Sequence, residues 1–147
     1  MQALRLLTLS GVILAGLACG PVQAACTEAV DPAGVHLEPM NQNGVAYMSG
    51  GIGIDESCAI QKEHGYSLQL TFSAGADNKY ESGIKVSIQN AQGKQLLSVD
   101  DVGPMLLVQL PAGKYQVVSQ LDGHEMRTPV DLSTGKHQAV NVHWKAM

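Results

Sequence analysis

Aromatic residues are scarce in this chain. One Trp, one Phe and four Tyr among 147 residues leave a small core to be filled by aliphatic side chains. Basic residues are few as well: Lys and Arg total 9 against 13 Asp and Glu, a net charge of -4. They stand singly, with no Lys/Arg block and no basic amphipathic helix, which argues against nucleic acid and against anionic lipid as partners. The signatures of common catalytic sites are missing too: no Gly-x-Ser-x-Gly, no His-Glu-x-x-His, no phosphate loop and no calcium loop. Cys-x-x-Cys, the usual spacing of a redox-active pair, does not occur among the three cysteines.

Only one long apolar run is present, and it lies at the start. Met1, Gln2 and the basic Arg5 precede apolar residues 6–18, then Gly20, Pro21 and the small-residue step Val22-Gln23-Ala24. This is the layout of a secretory signal peptide over residues 1–24, with cleavage expected before Ala25. The run is shorter than the roughly 18 to 20 residues that a spanning helix needs, so no transmembrane segment is expected once the signal is removed. Loss of Arg5 takes the basic count to 8 against 13 acidic residues, a net charge of -5. The expected location is the periplasm. A lipidated Cys19 is the alternative, since Leu17-Ala18-Cys19-Gly20 has some likeness to a lipoprotein cleavage site, although Gly16 stands where leucine is usual; the domain would then be membrane-tethered. If Cys19 leaves with the signal, Cys26 and Cys58 remain, and in an oxidising compartment they are expected to form a disulfide that pins the N-terminal segment to the domain.

Residues 25–44 are rich in Pro, Asn, Gln and Gly without any period, and read as an irregular segment. Residues 45–54 could form a strand running into a tight turn. Asp55 then has the character of a helix N-cap, Glu56 suits the positive end of the helix, Lys62 and His64 suit the negative end, and Gly65 suits a left-handed cap, which predicts a short helix over 56–64. From Tyr66 onward the period is two. Tyr66, Leu68, Leu70 and Phe72 alternate with polar residues, as do Ile84, Val86 and Ile88. Leu97 and Val99 follow a turn at 90–93. Leu106, Val108 and Leu110 precede Pro111-Ala112-Gly113, and Tyr115, Val117, Ser119 and Leu121 lead to the tight turn Asp122-Gly123. Met126, Thr128, Val130 and Leu132 come next, and Val140, Val142 and Trp144 close the series. Pro129 marks its strand as an edge. About seven short strands with one short helix before the second predict an all-β fold, a single antiparallel β-sandwich over 45–147.

Three stretches carry a family resemblance: Gly83-Ile84-Lys85-Val86-Ser87-Ile88-Gln89-Asn90-Ala91-Gln92-Gly93-Lys94, Gly103-Pro104-Met105-Leu106, and Leu110-Pro111-Ala112-Gly113-Lys114-Tyr115-Gln116-Val117. Together they resemble the carboxypeptidase regulatory-like domain, most closely over 110–115 and in outline over 66–144. The resemblance implies a transthyretin-like sandwich and an accessory role without an active site. Residues 47–57 with the following helix resemble a leader found in periplasmic proteobacterial members of that group. Where the family has an acidic or Thr-Asp step before its glycine, this chain has Asp100-Asp101-Val102-Gly103-Pro104.

The expected function is that of a non-catalytic exported binding or accessory module, with no cofactor, that meets another envelope protein or component through loops or a sheet edge. The glycine-rich loop with its acidic neighbours, Gly50, Gly51, Gly53, Asp55 and Glu56, is the expected contact surface. Phosphate is a poor ligand for it, because Asp55 and Glu56 would repel the anion. Adjacent Asp100 and Asp101 point to opposite faces of a strand, which prevents them from sharing a proton or substrate, and a solvated turn explains them better. The alternative function is copper or zinc handling, prompted by five His and six Met. His137 and His143, on one face of the last predicted strand, stand roughly 20 Å apart at about 3.3 Å per residue. His36, His64 and His124 would meet only through the fold.

Overall fold

The computed structural model describes residues 26–145; the signal segment, Cys19 and the expected cleavage site lie outside the described residues. Two β-sheets pack face to face. The first has the order β1 (Met40–Gln42), β2 (Val45–Gly50), β7 (Met105–Val108), β3 (Leu68–Ala74), β10 (Gln138–Trp144), with β4 (Lys79–Tyr80) also paired to β3. The second has the order β6 (Gln95–Val102), β5 (Ile84–Asn90), β8 (Lys114–Leu121), β9 (His124–Asp131). The alternation seen in the sequence is the alternation of burial. Leu68, Leu70 and Phe72 from β3, Ile84, Val86 and Ile88 from β5, Val117 from β8, and Val142 and Trp144 from β10 meet in one core between the sheets. The single Trp and single Phe pack there together, ring centroids 6.4 Å apart.

Among the described residues ten strands form where about seven were expected; β1 and β4, at three and two residues, are too short to display a period. The sandwich is also not wholly antiparallel. β10 pairs with β3 in parallel, Gln138 opposite Leu68 through Trp144 opposite Ala74. The chain reaches β10 by leaving β9 at the edge of the second sheet and crossing to the first, so no hairpin dictates its direction.

Several local expectations shift for identifiable reasons. The segment expected to be irregular holds a 3-10 turn at Pro32–Gly34 and strand β1, joined to β2 through Asn43 and Gly44 at φ 54° and 81°, the signature of a type I′ hairpin turn. Asp122 and Gly123, at φ 47° and 83°, make the same turn between β8 and β9 as expected. Asp100 and Asp101 are not in a turn. They lie within β6, where Asp101 takes φ 58° and the register with β5 shifts, a β-bulge. β9, with Pro129, is an edge strand as expected.

The helix α1 runs over Gly53–Ile60 rather than 56–64, and Ile52 occupies its N-cap with no side-chain bond. Asp55 therefore sits in the first turn and is not the cap. Beyond Ile60 the amides of Lys62 and Glu63 reach back three residues, to Ala59 and Ile60, so the chain tightens and leaves the helix before Lys62 and His64. Gly65 does have positive φ, at 89°, but outside the helix end.

This helix covers part of the outer face of the first sheet. Met48 of β2 and Met105 and Leu107 of β7 point away from the central core and pack with Ile60 of α1, with Leu37 and Tyr66 alongside. That second apolar cluster explains why all four residues of β7 are buried instead of every other one. It also brings the β6–β7 connection against the end of β2: a Cβ built on Gly103 would lie 2.8 Å from the carbonyl oxygen of Gly50. Neither backbone can withdraw without opening the β2–β7 ladder. Gly103→Ala is expected to cost about 1–3 kcal/mol, the range for overpacking a filled site, measurable as a lowered urea midpoint with the m-value unchanged.

Candidate functional site

The surface singled out in the sequence lies where β2 ends and α1 begins, and Glu56 organises it. Glu56 is buried, and its carboxylate accepts three backbone N–H groups: Oε2 from Gly51 at 2.8 Å and Ile52 at 2.9 Å, and Oε1 from His36 at 3.1 Å. Ile52 offers no side-chain cap, and Glu56 reaches back from one turn further on to accept the N–H of Ile52 itself, the bond that the glutamate of a capping box makes. Its charge also sits at the favourable end of the helix dipole. Ser57 completes the loop, its hydroxyl donating to the carbonyl oxygen of Gly51 at 2.7 Å.

Asp55 performs the corresponding task one residue earlier. Its Oδ1 accepts the amide of Asp31 at 2.9 Å, while Asp31 caps the 3-10 turn by accepting from Ala33 at 2.9 Å. The predicted disulfide between Cys26 and Cys58 is present, with Cα atoms 5.5 Å apart. Three ties therefore bind the N-terminal segment to the first two turns of α1: the disulfide, Asp31 to Asp55, and His36 to Glu56.

The five residues expected to form a contact surface do come together, but they do not all reach solvent. Gly50 and Gly51 are buried, Glu56 is spent on backbone amides, Asp55 is half-buried and engaged, and Gly53 is exposed. Gly50 has a packing reason for being glycine, since a Cβ there would run into Leu37 and lie 3.2 Å from Glu56 Oε2. Gly51, at φ 97°, has a backbone reason.

Sequence reasoning overlooked the two isoleucines between these glycines and carboxylates. Ile52 and Ile54 are 66 % and 62 % exposed, the most exposed large apolar side chains among the described residues. Ile54 borders a small open cavity of about 220 Å³, walled on the other side by Thr27, Glu28 and Val30 and floored by the disulfide. The available signal was a conflict in the pattern. Ile52 and Ile54 alternate like a strand, yet they stand among glycines at a helix start, where the alternation has no sheet to face.

Histidines do not converge. His36, His64 and His124 are exposed on separate parts of the fold. His137 precedes β10 instead of lying within it, with its Nδ1 3.0 Å from the carbonyl oxygen of Tyr66. Among the described residues, no group of three or more His, Cys, Asp or Glu side chains is placed to hold a metal ion.

One side-chain pair has the composition of a nucleophile and base. Ser73 Oγ of β3 lies 3.0 Å from His143 Nδ1 and 3.3 Å from Asn141 Oδ1 of β10. Ser73 is only 2 % exposed, so a substrate cannot reach its hydroxyl, and the contact serves to join the two parallel strands on the outer face.

No protein-family model matches the chain, and no curated protein matches it. Among the described residues, no helix is long and apolar enough to cross a membrane.

Proposed function

We propose that the protein is an exported, non-catalytic accessory module, of the carboxypeptidase regulatory-like kind, that works in the periplasm by binding another envelope protein through the start of α1. One observation carries this reading: Ile52 and Ile54 are presented to solvent from the N-cap and first turn of α1, where Glu56 and Ser57 tie the backbone of Gly51 and Ile52. Isolated exposed apolar residues are ordinary. Two of them within three positions, beside a cavity, are less so, and the disulfide, Glu56 and Asp55 fix the loop that carries them. A loop ordered in advance has little conformational entropy left to lose when a partner covers it. What supports the family reading is the two-sheet architecture and the turn at 90–93, one of the positions on which the resemblance rests.

The test is crosslinking in living cells with a photoactivatable residue at the exposed Gln61, two helical turns on from Ile54, followed by mass spectrometry, comparing the natural chain with an Ile52→Ser, Ile54→Ser double variant. Both side chains are exposed, so the variant is expected to melt within a few degrees of the natural protein, as surface changes of about 0.5 kcal/mol allow. A partner captured by the natural chain and reduced at least ten-fold in the variant supports the reading. Equal capture by both, or no specific capture, refutes it.

A further inference from the structure

Apart from the two-residue β4, the two sheets end in four edge strands among the described residues, β1, β10, β6 and β9, and three of them are protected. β9 carries Pro129 and the charged Glu125, Arg127 and Asp131. β6 has the bulge at Asp101, and the side chain of Gln42 takes both backbone groups of Ser98: Nε2 donates to the carbonyl oxygen at 3.0 Å and Oε1 accepts the amide at 2.6 Å. β1 is only three residues long. Proline, charge, bulges and shortness are the recognised ways of preventing an edge from pairing with another chain.

β10 has none of these. It spans seven residues, Gln-Ala-Val-Asn-Val-His-Trp, with no charged residue, no proline and no bulge in its register with β3. The amide of Gln138 donates to Ser67 and the carbonyl oxygen of Trp144 accepts from Gly75, so the backbone groups of Gln138, Val140, Val142 and Trp144 face β3. Those of Ala139, Asn141 and His143 point the other way, where β10 has no neighbouring strand among the described residues.

We propose that β10 is the dimerisation edge of this protein, pairing antiparallel with β10 of a second copy about a two-fold axis at Asn141. The three outward-facing residues are spaced evenly about Asn141, so this register satisfies all of them at once. Asn141 meets its own equivalent, and Ala139 meets His143 of the other copy in both directions, for about six backbone hydrogen bonds. The side chains opposite one another are compatible: carboxamide with carboxamide, a methyl group beneath an imidazole, and Val140 beside Val142. No like charges face each other across the seam, because the strand carries none. The interface is isologous and closes at two copies. It lies at the far edge of the sheet from the β2–β7 strands that α1 covers, so it is independent of the contact proposed for Ile52 and Ile54.

The test is sedimentation equilibrium on the disulfide-bonded exported chain over a wide concentration range, with hydrogen exchange read at single amides. The natural protein is expected to dimerise, with the amides of Ala139, Asn141 and His143 protected in the dimer. Ala139→Pro removes one outward N–H without touching the ladder to β3, and Ala139→Lys places like charges on both sides of the seam. Each is expected to weaken dimerisation at least ten-fold, while Gln109→Lys, the same charge change on an exposed connection, leaves it unchanged. Circular dichroism and melting of the Ala139→Lys chain separate loss of pairing from loss of fold. A chain that stays monomeric at millimolar concentration overturns the proposal, as does a dimer that Ala139→Lys leaves intact. Protection of those three amides only on adding an extended peptide of another protein would assign the edge to a foreign strand and also overturn it.

Discussion

Glu56→Ala is expected to lower the unfolding free energy by about 3–4 kcal/mol, the largest single-residue effect in the N-terminal layer. Hydrogen bonds to a charged acceptor contribute about 1.5–3 kcal/mol each, and a buried donor left without a partner costs about 1–3 kcal/mol. Three amides depend on this carboxylate. Water can replace it at His36, where the bond is only partly buried, so the three contributions do not sum in full. The Gly51 amide has no such recourse, because its bond is buried. Glu56→Gln separates charge from shape. With the carboxamide oxygen at the Oε2 position, Gly51 and Ile52 keep their acceptor, but the amino group then faces the N–H of His36, donor against donor. A loss of about 1–2 kcal/mol is expected for Gln, between the natural protein and Ala. Urea unfolding of the three chains, with hydrogen exchange at Gly51 and Ile52, measures this series. If Gln matched the natural protein to within about 0.5 kcal/mol and Ala cost no more than a surface change, the carboxylate would not be what orders the loop.

How far the fold could be read from the sequence depended on whether an element was long enough to show a period. β3, β5, β8 and β10 alternate over seven or eight residues, and their buried residues are the ones the alternation indicates, except Ser73, which is buried on the outer face beside His143. β1 could not declare itself through burial, since two of its three residues are exposed. Its turn, Asn43-Gly44, was nonetheless available as the dipeptide most characteristic of a two-residue hairpin. Parallel pairing of β10 with β3 was not legible, because strand direction follows from which sheet the chain enters, and turn residues are silent about that. The double burial of β7 required knowing that a helix lies over Met105 and Leu107.

The local bonding around the start of α1 was not legible in the sequence, whereas the pairing of Cys26 with Cys58 followed from counting cysteines. Capping propensity favoured Asp55 as the N-cap, yet the helix begins at Gly53 and Glu56 supplies the acceptor. Propensity describes a residue's bonds to its near neighbours. Asp55 instead serves Asp31, 24 positions away, and Glu56 serves His36, 20 positions away. Tertiary partners of that kind have no periodic trace in the chain.

Removing the disulfide by the paired change Cys26→Ala, Cys58→Ala is the other large effect, and its size reports on the N-terminal segment. The bond closes a loop of 32 residues, for which restriction of the unfolded chain corresponds to about 3–4 kcal/mol. That full amount is lost only if the segment stays docked when the bond is absent. The remaining ties are the Asp31–Asp55 and His36–Glu56 bonds and the packing of Leu37 against the outer cluster. The first is exposed and the second partly buried, so the residues before His36 are expected to detach while Leu37 holds. The native state then regains some of the entropy that the unfolded state regains. The expected loss is therefore about 2–3 kcal/mol, below the chain-entropy value, accompanied by fast exchange at Asp31 and Ala33 and unchanged protection in the core strands β3, β5 and β8. A loss of the full 3–4 kcal/mol with Asp31 still protected would show that the segment docks unaided. A loss under about 1 kcal/mol would mean that the bond only tethers a segment already free to leave. Detachment also removes one wall of the cavity beside Ile54, so the double variant is expected to lose partner capture while the sandwich remains folded, linking the disulfide to binding through the loop it shapes.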